Sequence, residues 1–171
     1  MQRRVLLRES FVLLAGAAAA LSGCGFALRK APTFAFTTLF SSLPESSPLG
    51  VELRRSLEAT RKVRVITDGR QLNEADVILD VLRDQREKSV IGLNASGQVR
   101  EFQLRLRFRF KLRTQAGKEL IPESEILQQR DISFNESAVL AKEAEEGLLY
   151  RDMQSDIVQQ IMRRLAAVKT L

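Results

Sequence analysis

A strictly alternating segment in the middle of the chain sets the strongest constraint on its fold. The segment EFQLRLRFRFKLRT runs from Glu101 to Thr114. Its apolar positions are Phe102, Leu104, Leu106, Phe108, Phe110 and Leu112, and its basic positions are Arg105, Arg107, Arg109, Lys111 and Arg113. A period of two residues is typical of a β-strand with one buried face and one exposed face. The segment therefore predicts a strand with one side in the core and a cationic side facing away from it.

Composition limits the chemistry that the chain can perform. Its 171 residues suffice for one domain, and the net charge of +6 favours an anionic partner such as nucleic acid, a membrane surface or an acidic glycolipid. The chain has no His and one Cys. Imidazole catalysis, His-containing metal sites and a Cys–His nucleophile pair are therefore excluded. We expect a protein that is not an enzyme and that uses no metal or cofactor.

The N-terminus has the plan of an export signal. Three Arg in the first eight residues precede an apolar run from Phe11 to Leu21, as in a secretory signal peptide. The sequence Leu21-Ser22-Gly23-Cys24 resembles a bacterial lipobox, which implies cleavage before Cys24 and acylation of that residue. We therefore predict a signal peptide over residues 1–23 and a single domain over residues 24–171. The alternative is an ordinary signal peptide, or an N-terminal anchor, with a chance Cys. Export leaves no role for a nucleic-acid partner.

The rest of the chain predicts an α/β fold of the α+β sandwich type, with two helices on one face of a four- to five-stranded mixed or antiparallel sheet. The predicted strands are Phe34–Phe40, Val63–Thr67, Ala75–Val90, Gln98–Thr114 and Glu125–Phe134. Ser47 and Pro48 form a favoured helix start, which predicts a helix to about Thr60. A second helix is predicted from about Ser137 to Val168, with a packed stripe of apolar residues that begins at Leu140 and includes Leu148.

Acidic residues in the preceding strand offer partners for the basic face. A turn centred between Asn94 and Ala95 would place three carboxylates directly opposite three arginines. The predicted pairs are Arg113 with Asp76, Arg109 with Asp80, and Arg105 with Asp84. This register leaves Arg107 and Lys111 unpaired, although a shift of two residues would keep the faces and change the partners.

Four segments together resemble the LPS-assembly lipoprotein LptE family. They are CGFALR (24–29), SPLGVELRRSLE (47–58), SGQVREFQLRLRF (96–108), and VLAKEAEEGLLYRDM leading into QIMRRL (139–165). The resemblance implies a small sandwich lodged in the lumen of the outer-membrane β-barrel LptD, as a plug and assembly factor that binds lipopolysaccharide without covalent chemistry. It also implies attachment to the periplasmic side of the outer membrane through acylated Cys24.

The same resemblance implies basic glycolipid contacts near the hairpin tip and at the start of the last helix. Lys142 matches the helix position, whereas the tip, Asn94 to Gly97, carries no cation. The candidate lipopolysaccharide-binding residues are Lys142, Arg100, Lys88, Arg107 and Lys111. Two other readings stay open: an accessory lipoprotein of a phospholipid-trafficking system in the outer membrane, and a basic membrane-surface scaffold without a ligand.

Overall fold

Five strands and two helices account for most of residues 32–171, the part of the chain that this computed structural model describes. The predicted signal peptide and Cys24 lie outside that part. In chain order the elements are β1 (Thr38–Ser41), α1 (Pro48–Glu58), β2 (Arg64–Ile66), a 3₁₀ helix (Gly69–Glu74), β3 (Val77–Leu93), β4 (Val99–Thr114), β5 (Glu119–Ser133), a 3₁₀ turn (Glu136–Ala138) and α2 (Val139–Ala167).

The sheet is mixed, with strand order β2-β1-β3-β4-β5. Strands β2, β1 and β3 are parallel, whereas β3, β4 and β5 are antiparallel. Strand β1 pairs only with residues Val77 to Leu79 of β3, so the three long strands continue well beyond the parallel part. We call the end at the β3–β4 turn the tip end. The opposite end, where β1, β2 and β3 begin, is the base end.

Both helices pack on the same face of this sheet, which confirms the predicted fold class. Leu53 and Leu57 of α1 share one buried cluster with Met153 and Ile157 of α2 and with the even-numbered side of β4. The buried residues of that side of β4 are Leu104, Leu106, Phe108, Phe110 and Leu112. Burial of each such side chain stabilises the fold by roughly 1.5–3 kcal/mol. The apolar half of the alternating segment therefore forms the floor of the core, as predicted.

Several predicted boundaries differ from the structure, and β1 begins at Thr38 rather than at the predicted Phe34. The apolar stripe of α2 packs only from Leu149 onward, because the first turns of the helix lie beyond the core and leave Leu140 82% and Leu148 54% exposed. Strand β5 begins at Glu119 rather than at the predicted Glu125. It passes through Pro122, and an edge strand tolerates proline because one side of its backbone needs no partner.

The register of the β3–β4 hairpin also differs from the prediction. The Asn94 side-chain oxygen accepts hydrogen bonds from the N–H groups of Ser96 at 3.0 Å and Gln98 at 2.9 Å, which moves the centre of the turn toward the C-terminus. Gly97 closes the turn with φ +80°, a conformation that favours glycine. Asp80 consequently lies opposite Lys111, two positions from the predicted partner.

A bulge between Val81 and Arg83 adds one further residue to β3. Beyond it the two faces of β3 exchange their odd and even positions, so that Asp84 lies opposite Phe108 on the helix side.

Candidate functional site

The basic residues of β4 lie on the sheet face away from the helices, where carboxylates of both β3 and β5 supply their partners. Arg109 is paired with Glu123, and the Arg107 guanidinium lies 2.9 Å from Glu125. Arg113 forms an ion pair of 2.7 Å with Asp80 of β3. The three predicted pairs are therefore wrong, because the turn and the bulge displace β3 relative to β4. A ladder of ion pairs does cover this face, but it spans three strands rather than two.

Two aspartates of the predicted ladder have other roles. The N–H groups of Thr37 and Thr38 donate to the Asp76 carboxylate at 2.8 and 3.0 Å, and the Thr37 hydroxyl donates at 2.9 Å. Partial burial acts to raise the pKa of Asp76, but these hydrogen bonds outweigh it and hold that pKa below its usual value. Asp84 accepts a hydrogen bond of 3.3 Å from the Ser47 hydroxyl at the start of α1. Both aspartates connect the sheet to neighbouring chain segments.

Two candidate binding residues, Arg107 and Lys111, lie on this outer sheet face. The prediction that Arg107 is unpaired is wrong, because its guanidinium lies between Glu125 at 2.9 Å and Glu87 at 4.0 Å. Lys111 has no carboxylate within 4.0 Å among the residues described. Of the two, Lys111 is the side chain that can reach an external anion without first breaking an ion pair.

The other three candidates, Lys88, Arg100 and Lys142, lie together at the tip end. The Lys142 ammonium donates to the Ser133 hydroxyl at the end of β5, at 3.0 Å. The next residue, Phe134, donates its N–H to the Arg100 carbonyl at 2.7 Å. The start of α2 is thereby placed beside the tips of β4 and β5.

Lys88 reaches the same region because the bulge turns it toward the helix side. Its ammonium lies 2.6 Å from Glu146 of α2 and 4.3 Å from the centre of the Phe102 ring. Lys142 is likewise paired, at 2.8 Å, with Glu145. Arg100 is exposed and has no carboxylate within 4.0 Å among the described residues. Of the three, Arg100 is therefore the most accessible to an anion.

Exposed apolar side chains lie on the same strand as Lys88 and the same helix as Lys142, and the sequence analysis did not predict their exposure. They are Val90 (49% exposed), Ile91 (45%), Leu93 (61%), Leu140 (82%) and Leu148 (54%). The sequence signal that could have indicated this exposed apolar surface was the Val90-Ile91 pair, which lies next to a turn where a strand leaves the core. We call Lys88, Arg100 and Lys142, together with these five residues, the tip surface. It can contact a ligand that carries both negative charge and hydrocarbon.

An open groove of about 500 Å³ runs between β3 and α2 next to the tip surface. Its lining residues are Arg86, Lys88, Glu143, Glu146, Gly147 and Tyr150. The Tyr150 hydroxyl donates to the Glu87 carbonyl at 2.7 Å, and the Arg86 guanidinium lies 4.2 Å above its ring. Burial, assisted by the negative charge of Glu146, raises the pKa of Tyr150. This tyrosine therefore acts as a neutral fixed contact between the helix and the strand.

Two further features were searched for in residues 32–171. No helix there combines the length and apolar character that crossing a bilayer requires. Those residues also hold no group of three Asp, Glu, Cys or His side chains that could bind a metal ion.

The fold and the site define a small α+β sandwich with an ion-paired sheet face and an amphipathic tip. The chain belongs to the LptE family, described as lipopolysaccharide-assembly, whose model matches residues 36–165. It is 26% identical over 162 residues to the LPS-assembly lipoprotein LptE of Pectobacterium atrosepticum, an alignment that covers 92% of this chain and 85% of that protein. The resemblance seen in the sequence is thereby confirmed.

Solved structures agree with this assignment. The solution structure of an uncharacterized lipoprotein B from Nitrosomonas europaea is 33% identical, with a TM-score of 0.70 over 84% of this chain and 91% of that one. The crystal structure of the rare lipoprotein B from Shewanella oneidensis is 24% identical and shares the fold, with a TM-score of 0.62 over 77% of this chain and 93% of that one. These matches give no support to the phospholipid-trafficking alternative.

Proposed function

We propose that this protein is an outer-membrane lipoprotein, anchored through acylated Cys24 on the periplasmic side, that plugs and helps to assemble the LptD β-barrel. It also binds lipopolysaccharide during delivery of that glycolipid to the outer leaflet. Membership of a lipopolysaccharide-assembly family supports this role. The role requires binding alone, without a covalent step or a cofactor.

The observation that carries the glycolipid part is the combination of cations and exposed apolar residues on the tip surface. The lipid A part of lipopolysaccharide presents phosphates and acyl chains together. Lys and Arg bind phosphate through charge-assisted hydrogen bonds, and apolar contacts contribute about 25 cal/mol per Å² removed from water. Arg100 can bind a phosphate directly. Lys88 must first break its ion pair with Glu146, and Lys142 its ion pair with Glu145.

The ion-paired sheet face supports the plug part of the proposal. A protein enclosed by a water-filled barrel contacts a polar interior wall, so its own surface must be polar as well. The ladder of Arg107, Arg109 and Arg113 with carboxylates of β3 and β5 supplies such a surface. Lys111 and Arg107 remain secondary lipopolysaccharide contacts, and Arg107 would have to leave Glu125 first.

A charge-reversal pair tests the glycolipid site. In the mature chain, Arg100→Asp with Lys142→Asp should lower binding of detergent-dispersed lipopolysaccharide by about tenfold or more, since two charge-assisted contacts become repulsive. Arg55→Asp with Lys62→Asp makes the same charge change at the base end and should leave binding unchanged. Equal binding by the tip variant and the wild type, or equal losses in both variants, would refute this site.

The barrel partner is tested separately. Affinity purification of the lipidated protein from a detergent-solubilised envelope should recover a large β-barrel in stoichiometric amount. Reversal of Arg107 and Lys111 to Glu should reduce that recovery, since both side chains lie on the face proposed to meet the barrel wall. Recovery of the lipoprotein without any barrel would overturn the plug assignment.

A further inference from the structure

Three exposed cations at the base end have no acidic partner. Arg55 lies in the last turn of α1, and Arg61 and Lys62 lie in the turn that follows. None of the three has a carboxylate within 4.0 Å among residues 32–171. Arg61 and Lys62 line one shallow hollow with Thr37, where the chain enters the fold from its N-terminal side. We call Arg55, Arg61 and Lys62 the base patch.

The carboxylates near this patch do not neutralise it. Glu58 lines the same hollow, but its carboxylate lies farther than 4.0 Å from the charged groups of these cations. Glu74 forms an ion pair of 3.0 Å with Arg64. The base patch therefore keeps its positive charge.

The sequence that leads to the base end adds to this charge. Between Cys24 and Pro44 it contains Arg29 and Lys30 and no acidic residue. The eight residue-to-residue steps from Cys24 to Pro32 span at most about 28 Å when extended. An acyl anchor at Cys24 would therefore hold the base patch close to a bilayer surface.

We infer that the base patch binds the anionic headgroups of the membrane that carries the lipid anchor, and that it orients the domain with its base toward that membrane. This inference rests on the lipid anchor of the proposed function, because that anchor would bring the base patch to the membrane. Each Lys or Arg near an anionic surface strengthens binding roughly fivefold at low salt, so three cations account for about a hundredfold. Because the acyl chains already retain the protein, the patch determines orientation rather than attachment.

Vesicle flotation with the unacylated chain measures this contact without the anchor. All members of the hydrophobic core lie between Phe36 and Leu165, so a chain that begins at Gly25 keeps the whole core. The vesicles contain phosphatidylcholine alone or with about one-third phosphatidylglycerol. The patch variant combines Arg55→Gln, Arg61→Asn and Lys62→Gln. Asn is chosen because Arg61 has φ 56°, which asparagine tolerates.

The wild type should float with the anionic vesicles only, and added salt should release it. The patch variant should bind them about a hundredfold more weakly, while keeping its circular dichroism and its affinity for detergent-dispersed lipopolysaccharide. As the matched control, Lys88→Gln, Arg100→Gln and Lys142→Gln should keep vesicle binding and lose lipopolysaccharide binding. Undiminished flotation of the patch variant, or an equal loss in the tip control, would overturn the inference. The tip control tests the proposed glycolipid site independently.

Discussion

Removal of the Asp76 carboxylate should weaken the attachment of β1 to the rest of the sheet. The Asp76 carboxylate accepts three hydrogen bonds from Thr37 and Thr38. The Asp76 main-chain N–H donates to the Thr38 hydroxyl at 2.8 Å. A hydrogen bond to a charged group contributes about 1.5–3 kcal/mol when buried, and partial exposure lowers that value here. We expect Asp76→Ala to reduce the free energy of unfolding by about 2 kcal/mol. Asp76→Asn, which keeps one oxygen acceptor, should cost about 1 kcal/mol.

The pH dependence of this effect has a definite sign. Folding lowers the pKa of Asp76 from its ordinary value of 3.8. A carboxylate of this kind stabilises the folded state above its unfolded pKa, and that contribution is lost as the pH falls through the folded pKa. The difference in the free energy of unfolding between wild type and Asp76→Asn should therefore have its full size at pH 7 and should shrink below about pH 4.

Urea unfolding of the unacylated chain at several pH values measures both quantities. Asp84→Ala is the matched control, because Asp84 is exposed and holds one hydrogen bond, of 3.3 Å, to Ser47. Its cost should stay within about 0.5 kcal/mol. An Asp76→Ala effect no larger than the control, or a difference that persists unchanged at low pH, would refute the role given to Asp76.

Two other predictions concern the register and the start of α1. A double-mutant cycle on Asp80 and Arg113 should give a coupling of about 0.5–1 kcal/mol, whereas a cycle on Asp80 and Arg109 should give none; the reverse result would restore the register expected from the sequence. Ser47→Ala should lower the free energy of unfolding by about 1 kcal/mol, measured by urea titration, because the Ser47 hydroxyl caps the Gly50 N–H at 3.2 Å; no change would show that the cap is dispensable.

The features that the sequence predicted correctly depend on local periodicity. Alternation over Glu101–Thr114 is enough to identify the strand and its buried side, because a side chain's face is set by its position in its own strand. Ser47 with Pro48 likewise marks the start of α1 through groups a few residues apart. Membership of the family followed from short segments of the same local kind.

The ion-pair partners could not be predicted in this way, because they depend on how two strands are aligned. A turn shifted by the Asn94 side chain and one extra residue near Leu82 suffice to change every partner of the basic face. A trace of the bulge exists in the sequence, since the apolar residues of β3 change from odd positions at Val77 to Val81 to an even position at Val90. Beyond the bulge, however, β3 is mostly polar, so the shift of its apolar residues from odd to even positions cannot be recognised from the sequence.

The bulge that invalidates the predicted ladder is also what assembles the tip surface. Without it, Lys88 would lie on the outer sheet face beside the arginines of β4 and away from α2. With it, Lys88 joins Arg100 and Lys142 at the tip end. The full length of β3, from Val77 to Leu93, separates the tip end from the base end by about 50 Å, given a rise of about 3.3 Å per residue. That separation exceeds the roughly 30 Å thickness of a bilayer's hydrocarbon core. If the base patch rests on the headgroups that surround the anchor, a domain standing upright inside a barrel would hold the proposed glycolipid site near the opposite leaflet, as the proposed role in lipopolysaccharide delivery requires.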